Sequence, residues 1–228
     1  TVSVLYWLVP EMILADLPAL RRLRIVLASQ SPRRRELLER VFGLTPEIVP
    51  STFAEDLAHD AYPTPQAYCL ATATAKAREV WARLRLGSGA DRPVDLVIAS
   101  DSIVVAADGS ILEKAADAAH AAAMLRKVSG GTSHVTTAVV LVTPGEGSAD
   151  DGSDARVTTL TETTTVRFAA IPETEIAAYV ADEAAWRGKA GAYGIQDVAA
   201  AFIRGIEGDY YTVMGLPVHA VAAAVRAL

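Results

Sequence analysis

One stretch, IVLASQSPRRRELL at residues 25–38, limits what this chain can fold into more than any other. Ile25, Val26, Leu27 and Ala28 form an apolar run suited to a buried strand. Ser29, Gln30 and Ser31 make a small polar turn, and Pro32 fits the first position of a helix. Strand, turn and helix in that order is the geometry of a phosphate site. The helix is predicted to bury Leu37, Leu38 and Val41 on one face and to pair Arg35 with Glu39 and Glu36 with Arg40 on the other. Its first turn breaks a local rule. Arg33 and Arg34 sit where free N–H groups and the positive end of the helix dipole already favour an anion. A bound phosphate reverses that conflict, because N–H groups, serine hydroxyls and two guanidinium forks then converge on it. A solvated basic helix start accounts for the same residues without a ligand, and this stretch alone leaves both readings open.

Composition narrows the choice of ligand. The net charge of −6 argues against non-specific binding to nucleic acid or an anionic membrane, so any phosphate affinity must be local. That favours a small phosphorylated ligand. With 51% hydrophobic and 21% charged residues in 228, the chain has the material for one large domain or two lobes sharing a core. A single cysteine, Cys69, permits no internal disulfide and no cysteine metal cage, which suits a reducing, cytoplasmic setting. The opening TVSVLYWLVPEMILADLPAL is apolar but interrupted by Pro10, Glu11, Asp16 and Pro18, so it should not span a bilayer. Residues 1–22 are read as an N-terminal extension packed on the body formed by 23–228.

Beyond the organising helix, an extended segment at Thr45–Pro50 and a polar loop carrying Glu55 and Asp56 are expected. Thr64 and Pro65 then cap and open a long helix toward Leu86, with Leu70, Ala73, Ala77, Trp81 and Leu84 on one side and Lys76 in its middle. DLVIASDSIVVAADGS reads as strand, a break at Ser100–Ser102, more strand, and a hairpin turn at Asp108–Gly109. An alanine-rich helix ends near Gly130 and Gly131. Two long Thr/Val strands follow at 132–142 and 157–169, joined by an acidic loop, residues 144–155, expected to be mobile and dispensable for folding. Glu173 and Glu175 start a helix to about Ala185; VAAAFIRGI and YYTVMG read as strands, and Pro217 opens a final helix. The predicted class is α/β with a mixed rather than fully parallel sheet.

Several phosphate and hydrolase machines are excluded by inspection. The chain has no GxxxxGK[ST] loop, no complete GxGxxG, no HExxH, no CxxC and no GxSxG. His59, His120, His134 and His219 are scattered without ligand spacing. What remains is a set of charges in awkward places. Asp101 interrupts an apolar run and, if buried, needs a partner or a metal; exposure at a bulge is the alternative. Glu55, Lys76 and Lys114 taken singly read as surface residues. Gln196, just after glycines that let the backbone approach a ligand, is suited to reading a base or ribose through its amide.

Together these residues resemble a known family. LASQSPRRRELL, ASDSIVV, LEK, KAGAYGIQ and GDYYTVMGLPV, in this order over residues 23–228, resemble the Maf family, also called septum-formation-like proteins. The resemblance implies a two-lobed mixed twisted β-sheet with flanking helices and a central cleft, like the inosine triphosphate pyrophosphatases. It implies hydrolysis of nucleoside triphosphates between the α and β phosphates with a divalent cation (Mg, Mn or Co). On this basis Ser29, Arg33, Arg34, Lys76 and Lys114 hold phosphates, Glu55 and Asp101 bind metal, and Asp101 is the base that activates water. Arg33, Lys114 and Gln196 are similar to the dTTP/UTP branch rather than the 7-methyl-GTP branch, with Arg33, Ser102 and Gln196 setting specificity. Three departures stand out: Ser102 where threonine is usual, Ala115 where a proline usually follows the lysine, and Ala54 where an acid often precedes Glu55. The last puts the exact metal ligation in question. The implied partner is a nucleotide, with no nucleic acid or membrane and a homodimer left open; a 7-methyl-GTP enzyme and a non-catalytic regulator of division are the rival readings.

Physical chemistry agrees with the resemblance. Pyrophosphate leaves readily only when its charge is neutralised as it departs, which lysines, arginines and a metal accomplish. Two carboxylates supply the metal site and the proton acceptor.

Overall fold

A computed structural model describes residues 13–86, 92–145 and 155–228. A helical turn at Ile13–Ala15 leads into α1 (Leu17–Leu20), β1 (Ile25–Leu27), α2 (Pro32–Phe42), β2 (Glu47–Ile48) and, past a loop, α3 (Pro65–Leu86). β3 (Leu96–Ala106) turns through Asp108 and Gly109 into β4 (Ile111–Leu112), and α4 (Ala118–Val128), β5 (Thr132–Pro144) and β6 (Ala155–Phe168) follow. The chain closes with α5 (Glu173–Ala181), α6 (Glu183–Trp186), β7 (Ile203–Glu207), α7 (Tyr210–Met214) and α8 (Val218–Arg226). The sheet runs β2-β1-β3-β5-β6-β7, with β4 also on β3. β1 is parallel to β2 and β3 while the other pairings are antiparallel, so the sheet is mixed, as the alternation of helices and hairpins predicts.

β3 organises the molecule. Its side chains alternate between the two faces of the sheet. Val97, Ala99, Ile103 and Val105 pack with Ala73, Ala77, Val80 and Trp81 of α3. On the opposite face Leu96 and Ile98 pack with Leu37, Leu38 and Phe42 of α2 and with Val221 and Val225 of α8. Val104, on that same face, joins a separate cluster with Leu125, Ile176 and Trp186. Ser100 and Ser102 fall between the two clusters. Along the strand edge away from β5, β1 pairs with residues 96–98 and β4 with 104–105. Among the described residues no strand pairs with 99–103 on that edge, and the site forms in this gap.

Several expectations are corrected. β3 does not break at Ser100–Ser102: β5 pairs with it residue by residue, including Asp101 with Ala138, so the ladder carries the strand through its polar centre. YYTVMG is the helix α7, because Asp209 caps it, accepting from the Thr212 N–H at 2.6 Å, and Gly215 ends it in the left-handed region at φ 104°. The helix begun at Glu173 stops at Asp182, whose carboxylate accepts from the Ala184 N–H and starts α6 instead. VAAAFIRGI is a helical turn over Val198–Phe202 before β7 begins. In α2, Phe42 rather than Val41 is buried. The Thr64 cap is present, accepting from the Ala67 N–H at 3.1 Å, and both charge pairs on α2 form. Ile13 and Leu17 bury against α8, and Asp16 pairs with Arg226 at 3.2 Å, so this part of the extension lies on the body. The first twelve residues and most of the acidic loop lie outside the described residues.

Candidate active site

The gap in the sheet opens into a cleft of about 720 Å³. Ser29, Arg33, Arg34, Glu55, Lys76, Asp101, Ser102, Lys114 and Gln196 all line it, so the structure brings together every candidate drawn from the sequence. Strand alternation sorts them. Asp101, with the odd-numbered residues of β3, faces Lys76 on α3, while Ser100 and Ser102 face α2 and the turn before α8.

On the α2 side the hydrogen bonds centre on Arg34. Arg34 donates from Nε to the Gly215 carbonyl at 2.9 Å, from Nη1 to Ser29 Oγ at 3.1 Å and from Nη2 to Ser102 Oγ at 2.9 Å. Thr137 donates to the Thr212 carbonyl at 2.7 Å, so its oxygen accepts from Ser102, 2.8 Å away. Ser100 also donates to the Gly215 carbonyl, at 3.0 Å. Gly215 holds φ 104°, a conformation that favours glycine, and a Cβ there would crowd Arg34 Nε and Ser102 Oγ at 3.3 Å. Arg34 therefore ties the β1–α2 turn, β3 and the α7–α8 turn together. Burial lowers the pKa of its guanidinium, and Asp101 opposes that shift. Among the described residues the N-cap of α2, Ser31, makes no side-chain capping bond, and Ser31, Arg33 and Arg34 line the cleft.

The charged centre lies on the α3 side. Lys76 Nζ sits 2.7 Å from Asp101 Oδ1 and 3.0 Å from Glu55 Oε2, with Lys114 Nζ 3.8 Å from the same glutamate oxygen. Lys76 and Asp101 are both 8% exposed, so the alternative of Asp101 as an exposed bulge residue is wrong. Each buried charge is partnered. Glu55 holds a backbone φ of 53°, a conformation that costs free energy in a non-glycine residue and is often found where a site imposes it. Burial alone would raise the Glu55 carboxyl, but Lys76, then Lys114 and Arg34, carry its pKa below the ordinary range. Beneath Asp101, burial and that carboxylate push the Cys69 thiol up to about 12, which removes it as a nucleophile at neutral pH.

In the third wall the sequence reading found Gln196 but missed Lys189 and Asp197. Lys189, 6% exposed, donates to Asp197 Oδ2 at 2.6 Å and to the Ala185 carbonyl at 2.6 Å. Gln196 donates from Nε2 to the same Asp197 oxygen at 3.0 Å. Burial lowers the pKa of Arg33, with Asp197 opposing, which puts Arg33 in the field of this carboxylate. The signal was in KAGAYGIQD, a lysine and an aspartate bracketing a glycine-rich turn. Among the described residues no group of three or more His, Cys, Asp or Glu side chains could hold a metal on its own. Glu55 and Asp101 offer two carboxylates, a donor set that fits a Mg²⁺ ion completed by substrate phosphate oxygens and water. Among the described residues no helix is long and apolar enough to cross a membrane.

Comparison with known proteins places this cleft in context. A dTTP/UTP pyrophosphatase of Koribacter versatilis is 42% identical over 205 residues, covering 89% of this chain and 93% of its own length. Similar proteins of the same name occur in Salinibacter ruber, at 42% identity with 89% of this chain and 90% of that protein covered, and in Pyrococcus furiosus, at 36% with 86% and 90%. The model of the family described as Maf-like protein matches residues 24–228. The chain belongs to the Maf family.

Proposed function

We propose that this chain hydrolyses nucleoside triphosphates, dTTP and UTP foremost, between the α and β phosphates, taking up water and releasing the nucleoside monophosphate and pyrophosphate. The observation that carries this reading is the buried Lys76 ammonium held between Glu55 and Asp101 in a cleft otherwise rich in cations. A pure binder of polyphosphate gains little from two carboxylates aimed at its ligand. The names of the relatives favour the dTTP/UTP reaction over 7-methyl-GTP and over a role without turnover.

The roles follow from position. The first-turn N–H groups of α2, Ser29, Arg33 and Lys114 take the phosphate oxygens, while Arg34 holds Ser29 and Ser102 in place for them. Lys76 neutralises charge beside the scissile bond, and Asp101 accepts the proton of the attacking water. Glu55 and Asp101 would hold a divalent cation, which when bound would neutralise phosphate charge and polarise the phosphoryl group. Gln196 reads the base. The lone buried Cys69 supports a cytoplasmic setting.

Asp101→Asn tests the assignment on a nearly isosteric side chain. Wild-type protein should convert dTTP with Mg²⁺ to pyrophosphate, a chelator should stop it, and the variant should lose roughly two to four decades of kcat. A folded variant that turns over at the wild-type rate would remove Asp101 from the mechanism.

A further inference from the structure

The amide of Gln196 is oriented by chemistry rather than by chance. A carboxylate accepts and cannot donate, so the amide edge facing Asp197 Oδ2 at 3.0 Å must be the NH₂ group. The other edge, Oε1, is buried and has no hydrogen-bond partner among the described residues. An unfilled buried acceptor is destabilising, and here it belongs to a side chain that lines the nucleotide cleft.

Asp197 is itself held firmly. Lys189 gives its protons to Asp197 at 2.6 Å, to the Ala185 carbonyl at 2.6 Å and to the Ala184 carbonyl at 3.4 Å, so this lysine has no donor left for a phosphate. Gly194 leaves room for the arrangement. A Cβ there would sit 2.7 Å from Asp197 Oδ2, 3.2 Å from Gln196 Nε2 and 3.3 Å from Lys189 Cδ.

We propose that Asp197, fixed by Lys189, is a positioning residue that locks the Gln196 amide with its carbonyl oxygen as the acceptor offered to the base, so that the site selects bases carrying a ring N–H. The inference rests on the nucleotide reading above. Uracil and thymine present an imide N3–H that fills the orphaned acceptor as the pocket adapts around the ligand. Cytosine presents a bare ring nitrogen at the same place, and two lone pairs then face each other. A free amide could flip to donate to that nitrogen; one pinned against a carboxylate cannot.

The experiment is the ratio of kcat/KM for UTP to that for CTP, measured on the full chain with Mg²⁺, in the wild type, Asp197→Asn and Gly194→Ala. Asn can either accept from or donate to the neighbouring amide, so the lock is lost; Ala at 194 displaces the carboxylate while keeping its charge. Wild-type protein should prefer UTP, and both variants should lower the ratio by about tenfold, the scale of one hydrogen-bond mismatch. A merely structural role for Asp197 lowers both rates together and leaves the ratio within about twofold, which would overturn the proposal; Gly194→Ala decides the matter should Asp197→Asn fail to fold. Wild-type protein that hydrolyses UTP and CTP equally well also overturns it while leaving the pyrophosphatase reading intact. Wild-type protein that hydrolyses neither overturns both.

Discussion

Arg34 and Arg33 are neighbours in the sequence and opposites in the structure. The buried Arg34 guanidinium donates to Gly215, Ser29 and Ser102, so its loss removes three hydrogen bonds at one point in the interior. Arg34→Ala should cost roughly 2–4 kcal/mol of folding stability by denaturant titration. Arg33→Ala and Lys114→Ala should barely change stability but weaken the transition state by roughly 1.5–4 kcal/mol, read from kcat/KM. Unchanged kcat/KM in either variant would make that residue a surface charge. The sequence showed two cations at a helix start and could not single out Arg34 as the brace, because two of its three partners, Ser102 and Gly215, lie far along the chain. Two titrations follow from local charge. Glu55 has a folded pKa below its ordinary value of 4.5, so its stabilising contribution is complete above that value and is lost as pH falls through the lower folded value. Acid denaturation of Glu55→Gln should accordingly begin less steeply than that of the wild type. With its thiol near 12, Cys69 should resist iodoacetamide at pH 8 in the folded protein and react once unfolded in urea.

At the scale of elements, what was legible was whatever local pattern decides. β1, α2 and its charge pairs, the Thr64 cap and the long β5–β6 hairpin follow from periodicity and capping chemistry. β3 and α7 did not, for opposite reasons. In β3 a polar centre suggested a break, but the β5 ladder and the charge of Lys76 hold Asp101 inside a continuous strand. In α7 aromatic and β-branched residues suggested a strand, but Asp209 and Gly215 cap both ends of a helix. Asp209 accepts from both the N–H and the hydroxyl of Thr212. Asp209→Ala should therefore destabilise the protein by about 1–2 kcal/mol in a urea melt, and an effect below a few tenths would show that packing alone keeps α7 helical.

At the scale of the whole molecule, the cleft depends on one omission in the sheet among the described residues. β1 and β4 share an edge of β3 without meeting, and the unpaired stretch between them lets α2, α3 and the 188–197 turn point side chains into one space. Sequence motifs named nearly all of these side chains, yet only the fold reveals that Lys76 separates the two carboxylates and that Lys189 and Asp197 build a third wall. The reaction proposed for this cleft is cleavage of a triphosphate at its inner anhydride. Phosphorus-31 NMR of dTTP with Mg²⁺ and the full chain tests it most directly. Growth of matched dTMP and pyrophosphate signals, with no dTDP and no orthophosphate, is the predicted result, and the appearance of dTDP with orthophosphate, or no change at all, would contradict it.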